Sequence, residues 1–217
     1  MTDGAPVKRR AYRAPRRDAA AAATREAILA AARDTFERRG WAGTTIAAVA
    51  EAAGVSPKTI EAQHGTKAAL LAAVVPYAIR GDTAETPMIE RDPGRAVEAA
   101  PDAATLVERH VPYALAITSR SALIAGVVEG AARSDDRVAE IWARMTHNRR
   151  FGARWAAGLL LDKPGARPDL DAEHAARIFL IAIDWATYRS LRGELGLSDP
   201  EVHDWVLDYE RRMLLAP

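Results

Sequence analysis

The residues best suited to chemistry in this sequence are basic, and their excess lies near the start of the chain. Residues 1–80 contain 13 Lys and Arg against 7 Asp and Glu, whereas residues 81–217 contain 17 against 22. Six of the basic residues fall between Lys8 and Arg17. Positive charge concentrated at one end favours a polyanionic partner for that end alone. The alternative is a solvated tail that only keeps the protein soluble.

The other polar residues form no catalytic arrangement that the sequence reveals. The five histidines are scattered, without a His-x-x-x-His pair, and no glycine-rich phosphate loop is present. The chain has no cysteine, which excludes disulfides, thiol catalysis and cysteine-ligated zinc. Asp199, His203 and Asp208 lie near one helical face, but surface helices carry such sets by chance. We therefore predict a protein without enzymatic activity, metal or cofactor.

The composition favours a soluble, helical chain. Hydrophobic residues make up 49% of the sequence and are rich in alanine, while aromatic residues make up only 6%. The first residues are polar and basic, unlike a signal peptide. The longest late apolar run, Ile178–Ile183, is far too short to span a bilayer. We expect an all-α protein of the cytoplasm that does not enter a membrane.

Four helical segments separated by sharp stops precede residue 81. The first covers residues 18–39, and the fourth ends at about Arg80. Two short helices lie between them, joined by a turn that contains glycine. This pattern predicts a helix-turn-helix that presents its second short helix to the DNA major groove, although any small helical bundle has similar spacing. The capping and stop residues are Thr44 or Thr45, Gly54, Ser56 with Pro57, Gly65 and Thr66.

The segment TTIAAVAEAAGVSPKTIEAQHGTKAALL resembles the DNA-binding domain of the TetR (tetracycline-repressor) family of transcriptional regulators. The resemblance covers about residues 20–80. It implies an N-terminal three-helix DNA-binding domain followed by a larger helical domain that binds a ligand and dimerises. The expected division is a basic, flexible arm at 1–17, the helix-turn-helix domain with its connecting helix at 18–80, and a regulatory domain at 81–217.

The resemblance also implies which residues meet DNA. Lys58 is the expected base reader, since its ammonium can bridge guanine O6 and N7, whereas Ala47 offers only a contact to a thymine methyl. Lys67 is expected to hold a phosphate at the start of the fourth helix. The complete expected set is Thr45, Ala47, Pro57, Lys58, Thr59, Glu61, Gln63 and Lys67.

Three residues of the third helix depart from the family pattern. Glu61 replaces a usual phosphate-contacting Tyr, Gln63 a frequent His or Tyr, and His64 a buried Phe. Glu61 must turn away from the phosphates, accept a hydrogen bond from a cytosine amine, or pair with Lys58. We expect His64 to be a packed, neutral imidazole. The basic arm would then compensate for weaker anchoring by this helix.

Helices also dominate the second part of the chain. A loop over Gly81–Pro101 precedes a helix at 102–119 that contains Pro112. A long helix opens at Ser134-Asp135-Asp136 and reaches about Leu161, and two more cover 171–192 and 198–215. Arg149 interrupts the apolar stripe of the long helix. It is either the partner of a carboxylate on a neighbouring helix or a cation that reads an anionic or carbonyl group of a ligand.

The family places a ligand pocket and a dimer interface in this second part. Trp142, Met145, Tyr113 and His110 would supply adaptable walls, with core packing as the alternative for each aromatic residue. Asp184 either pairs with an arginine or reads a cationic ligand. The expected ligand residues are His110, Tyr113, Trp142, Met145, Arg149 and Asp184. The expected interface residues on the last two helices, which otherwise complete the monomer core, are Ile178, Phe179, Ala182, Ala186, Val202, Trp205 and Tyr209.

The sequence therefore predicts a homodimeric, ligand-responsive repressor of a palindromic double-stranded DNA operator. A small-molecule effector would move the fourth helix as a lever and separate the two recognition helices. One alternative is a DNA-binding protein, architectural or otherwise, that needs no ligand. Another is a repurposed helical module that binds a small molecule or a protein and recognises no operator.

Overall fold

The computed structural model describes residues 14–217, with side chains from residue 19 onward. Over this range the chain forms ten α-helices, one 3₁₀ turn and one π-helical turn, without a β-strand. The all-α class predicted from the sequence is thereby confirmed. Most of the expected basic arm lies outside the described residues. The last four residues of that arm, 14–17, belong to the first helix, which begins at Ala14, so the expectation of a flexible arm does not hold for them.

Of the first four helices, the second to the fourth form where the capping residues predict them, while the first is longer than the predicted 18–39 at both ends. The four are α1 (Ala14–Gly43), α2 (Ile46–Ala53), α3 (Pro57–His64) and α4 (Lys67–Arg80). Thr45, Ser56 and Thr66 each accept a hydrogen bond from the backbone N–H three residues further on. Gly40 interrupts α1 with a φ of 64°, a left-handed conformation that glycine adopts without strain.

The remaining helices differ from the expected ones in three places. They are α5 (Asp92–Glu98), α6 (Ala103–Ala131), α7 (Asp136–Leu161), α8 (Ala172–Ala182), α9 (Trp185–Arg189) and α10 (Asp199–Leu214). The loop predicted over Gly81–Pro101 contains a 3₁₀ turn (Met88–Glu90) and the short helix α5, because Pro93 fits a first helical turn and Val97 is buried. The helix predicted at 102–119 was too short, because α6 runs through Pro112 to Ala131 with buried residues along its whole length. The helix predicted at 171–192 was wrong as one piece. It breaks at Ile183, and Asp184 then caps α9 by accepting from the Ala186 N–H.

Two hydrophobic clusters form the core, and both include residues of α6 and α7. The first joins α1 to α4 with the second half of α6 and the first half of α7, so this core continues across residue 80. The second joins the first half of α6 and the end of α7 with α8 and α10. On α6 the clusters are separated by the stretch between Val111 and Ala122, and on α7 by that between Met145 and Ala153.

Helix α6 is the central element of the described fold. It contacts α1, α4, α5, α7, α9 and α10. By length and composition alone α6 could cross a membrane, since its most apolar 18-residue window has a mean hydropathy of 1.5. In this structure, however, 44% of that window is buried inside the protein. The core helix of a soluble protein passes the same test. It is the one described helix that passes.

A buried polar pair ties α6 to α10. His110 is 3% exposed and Glu210 is 0% exposed, and their Nδ1 and Oε2 atoms are 3.1 Å apart. The edge of the imidazole also meets the Phe179 ring at a centroid distance of 4.6 Å. The second carboxylate oxygen of Glu210, Oε1, has no hydrogen-bond partner among the described residues. This carboxyl group therefore depends on His110 for compensation of its burial.

His110→Phe should lower the free energy of unfolding by about 3–5 kcal/mol, because it leaves a buried carboxyl group without its partner. Adding Glu210→Met should recover much of that loss, since a pair replaced by apolar residues of similar volume is often neutral. Urea unfolding of the two single variants and the double variant measures the coupling. Additive losses would contradict an interaction between the two side chains.

Candidate DNA-binding surface and ligand cavity

The outer face of α3 carries the residues expected to read bases. Ile60 is the single buried residue of this helix. Pro57 and Lys58 are exposed at its first turn, as are Glu61 and Gln63 further along. The remaining expected reader, Thr59, is partly exposed, and its hydroxyl lies 2.9 Å from that of Ser56. The side chains at the start of α3 are thus free to approach a major groove.

The start of α2 is exposed beside this surface. Thr45 Oγ1 accepts from the Ala48 N–H at 3.1 Å, so Thr45 is the capping residue. Thr44, the other candidate, is 1% exposed and donates its hydroxyl to the Gly40 carbonyl at 2.7 Å. Ala47 is exposed in the first turn of α2. Thr45 and Ala47 are therefore both accessible to DNA.

The side chain of Lys67 is engaged inside the protein. Its Nζ donates to the carbonyls of Trp41 and Thr44, at 2.8 and 3.1 Å, and lies 4.1 Å from the centroid of the Trp41 ring. Those carbonyls follow the break in α1, where the only backbone hydrogen bond to the Trp41 carbonyl among the described residues is a long one, 3.4 Å from the Thr44 N–H. The ammonium thus fastens the start of α4 to the end of α1. At most one of its three N–H groups is left for the phosphate expected at this position.

The replacements on α3 have distinct surroundings. Glu61 forms no ion pair with Lys58 or with any other described residue within 4.0 Å, so the pairing considered from the sequence is absent there. His64 is partly buried, and its Nε2 has no partner among the described residues. Burial, with a smaller contribution from Arg25, lowers the pKa of His64 below its usual value. Both effects favour the neutral imidazole predicted for this position.

A cavity of about 340 Å³ occupies the space between the two hydrophobic clusters. Its walls come from α4, α6, α7, the segment Pro87–Ile89 and the junction of α8 with α9. Four of the six expected ligand residues line it, namely His110, Tyr113, Met145 and Arg149. The wall residues that sequence reasoning missed include Arg80, Ile117, Asn148, Phe151, Trp155 and Trp185.

The other two expected ligand residues lie behind this wall. Asp184 pairs with the guanidinium of Arg149, which also lies 5.0 Å from the Trp185 ring centroid. The ion-pair interpretation of Arg149 is therefore the one that the structure shows. Trp142 packs on Trp185, with ring centroids 5.7 Å apart, and is not among the residues that line the cavity.

Arg80, the last residue of α4, is a cation of the cavity wall that the sequence did not single out. Its Nε is buried without a hydrogen-bond partner, and its guanidinium has no carboxylate within 4.0 Å among the described residues. The backbone around it is held firmly. Arg91 donates to the carbonyl of Arg80 at 3.3 Å, and Arg120 donates to the carbonyl of Ile79 at 3.0 Å.

Comparison with known proteins identifies the N-terminal helices. Residues 28–74 match the sequence profile of the bacterial regulatory proteins of the tetR family. The chain carries a TetR-family DNA-binding domain. The resemblance noted in the sequence is thereby confirmed, and the protein is a DNA-binding transcriptional regulator. No curated protein shows significant sequence similarity to it.

Solved structures share the fold of nearly the whole chain at low sequence identity. A candidate transcriptional regulator from Saccharomonospora viridis, in complex with choline, has a TM-score of 0.70 and 18% identity, with 90% of this chain and 98% of that one covered. NalD of Pseudomonas aeruginosa, the secondary repressor of the MexAB-OprM multidrug efflux pump, gives 0.64 and 18%, covering 88% and 96%. A TetR transcription regulator from Haloarcula marismortui gives 0.62 and 19%, covering 87% and 96%.

The expected dimer residues divide into a buried and an exposed group. Ile178, Phe179, Ala182 and Val202 are at most 3% exposed within this single chain, so they complete its own core and are not free to contact a second copy. Ala186 and Trp205 are exposed and Tyr209 is partly exposed. Trp205 stacks on Tyr209 with ring centroids 5.6 Å apart. Ile181, which the sequence did not single out, is 56% exposed on α8.

Lys67→Met should lower the stability of the TetR-family domain by about 1.5–3 kcal/mol, because it removes charge-assisted hydrogen bonds to two carbonyls. Lys58→Met is the matched control, since Lys58 is exposed on α3, and it should change stability by less than about 0.5 kcal/mol. Urea unfolding monitored by far-ultraviolet circular dichroism reports the difference. Equal stability of the two variants would show that the Lys67 contacts do not fasten α4 to α1.

Proposed function

We propose that this protein is a repressor that binds a palindromic operator as a homodimer in the cytoplasm and releases it when a small molecule fills the cavity. The observation that supports this most is the position of α4. This helix follows the recognition helix α3 directly, and its residues Pro76, Ile79 and Arg80 line the cavity. A ligand in the cavity therefore touches the element that positions α3.

In this proposal residues 18–80 form the DNA-binding domain and residues 81–217 the regulatory domain. The exposed groups at the starts of α2 and α3 meet DNA, and Lys58 is the principal base reader. The two domains contact each other where α1 and α4 pack on α6. A change in the cavity is transmitted through this contact because packed interfaces shift between discrete arrangements and do not deform continuously.

The dimer in this proposal uses the exposed apolar side chains of α8 to α10. Trp205 and Ile181 are 41% and 56% exposed, and Ala186 and Tyr209 belong to the same helices. Exposed aromatic and aliphatic side chains on neighbouring helices are typical of the apolar centre of an interface. A two-fold dimer then places two recognition helices about one turn of DNA apart, which calls for a palindromic operator.

The solved structures support the regulatory part by analogy of fold. One is a repressor of an efflux pump, and another holds choline. Those functions belong to those two proteins. The two proteins are examples in which a similar helical fold serves a repressor and holds a small organic ligand. A ligand-independent or architectural DNA-binding protein is the competing function, and it would bind DNA without discriminating an operator.

The protein should bind a fragment of the DNA that flanks its own coding region as a dimer, with an affinity that falls steeply with salt. The basic front of each protomer implies several phosphate contacts, and log K falls by about 0.9 per contact per log unit of salt. Fluorescence anisotropy at several salt concentrations, with a scrambled duplex as the control, measures the affinity and its dependence on salt. Equal affinity for the two duplexes would favour the architectural function, and no binding to either would exclude an operator in this region.

Lys58→Ala should reduce the preference for the operator over a scrambled duplex by about 1–3 kcal/mol, because a base reader discriminates between sequences. Arg154→Ala is the matched control, since Arg154 is an exposed cation on α7 of the second domain. It should leave the preference unchanged. Equal losses on operator and scrambled DNA for Lys58→Ala would make Lys58 a phosphate contact and leave base reading to Pro57 or Thr59.

A further inference from the structure

We infer that the ligand of the cavity is a small apolar monocarboxylate, and that Arg80 at the end of α4 reads its carboxylate. This inference rests on the proposed function, since it names the effector of the same cavity. It moves the recognising charge from Arg149, which the sequence suggested, to a residue that ends the connecting helix of the DNA-binding domain.

The charges around the cavity call for an anion. Two arginines line it, Arg80 and Arg149, and no aspartate or glutamate does so among the described residues. Asp184 already compensates Arg149. Arg80 has no carboxylate within 4.0 Å among the described residues, and its Nε, like that of Arg149, is buried there without an acceptor. A ligand carboxylate would supply the missing acceptor, and a guanidinium offers it two parallel N–H groups.

The neutral polar groups of the wall also favour an acceptor. Burial raises the pKa of Tyr113 to about 12, so its hydroxyl remains a potential donor at neutral pH. Asn148 contributes an amide. His110 adds nothing to this preference, because its Nδ1 is engaged with Glu210 and, where Nδ1 donates in a neutral ring, Nε2 can only accept a hydrogen bond. A cationic ligand would find two guanidinium groups here and no free carboxylate.

The size and walls of the cavity limit the rest of the ligand. A volume of about 340 Å³ is at the small end of the range of about 300–1,000 Å³ that is usual for small-molecule sites. Tyr113 and Trp155, with ring centroids 6.1 Å apart, and Trp185 provide flat apolar surfaces. Flat walls suit an aromatic or short aliphatic body, so the ligand carries one acidic group on a compact apolar frame.

The position of Arg80 links ligand binding to the DNA-binding domain. The last turn of α4 is tied to α5 by Arg91 and to α6 by Arg120. The first turn of the same helix is tied to α1 by Lys67. A carboxylate that draws the Arg80 side chain into the cavity therefore pulls on the end of α4, and the contacts of Lys67 connect that helix to α1 in the DNA-binding domain. Release of the operator requires that the ligand bind the DNA-incompetent arrangement more tightly.

The test compares probes that differ in charge and share a shape. 1-Naphthaleneacetate is the carboxylate, 1-naphthaleneacetamide is its neutral counterpart, octanoate is an aliphatic acid and choline is the cation. Isothermal titration calorimetry and thermal shift on the full-length protein without DNA give affinities that do not depend on operator binding. At least one of the two acids should stabilise the protein, and the amide should bind at least about tenfold more weakly than the naphthalene acid, as loss of a charge-assisted hydrogen bond implies.

Variants of Arg80 then assign the charge. Arg80→Gln should weaken binding of the acid by roughly 10- to 100-fold, and Arg80→Lys should weaken it less, because the charge is kept without the bidentate geometry. Arg154→Gln, an exposed arginine on α7, is the control and should bind as the wild type does. If Arg80→Gln does not fold, Arg80→Lys is titrated with the acid and with the amide. Its binding of the acid should be weaker than that of the wild type, while its binding of the amide should be unchanged.

Several results would overturn the inference. They are equal binding of acid and amide, unchanged binding by the Arg80 variants, binding of choline without either acid, and no binding of either acid at millimolar concentration. Operator binding of the ligand-free protein is measured separately. A protein that binds its operator but no acid contradicts the inference alone, whereas one that binds the acid but no operator contradicts the proposed function.

Discussion

The packing of α4 on both α1 and α6 is the constraint on which the rest of the molecule depends. Leu70, Leu71 and Val74 on this helix are fully buried in a core that also contains α1 and the second half of α6. The same helix begins at Lys67, two residues after Gly65 ends α3, with Thr66 as the cap between them. The helices before α4 therefore cannot change their position without a change in α4, and α4 cannot move without repacking against α6.

One buried and one half-buried polar contact hold the helices around the cavity. The His110–Glu210 pair fixes α10 against α6, and the Arg149–Asp184 pair fixes α7 against the start of α9. Such pairs contribute little net stability compared with apolar residues of the same size, because burial removes their hydration. They do restrict how the helices can slide past one another. The space that the two clusters leave between them thus keeps a defined outline with polar groups at fixed places.

Structure that depends on neighbouring residues could be predicted from the sequence. Thr45, Ser56 and Thr66 cap helices as predicted, since an N-cap needs only a side-chain oxygen near the next turn. Structure that depends on contacts between distant residues could not. The burial of Ile178 and Phe179 in the monomer could not be told from burial in a dimer, because both leave the same apolar pattern in the sequence. The identity of Arg149's partner likewise depends on a residue 35 positions away.

The sequence by itself determined the all-α class, the helix-turn-helix and the exposure of Lys58, because these follow from helix periodicity, capping chemistry and a local motif. Only the tertiary structure decided which charges are available. It engages the Lys67 ammonium with two carbonyls, compensates Arg149 with Asp184 and leaves Arg80 without a carboxylate partner among the described residues. The physical reason is that the state of a charge depends on its solvation and on partners from distant helices, neither of which is written in its neighbours along the chain.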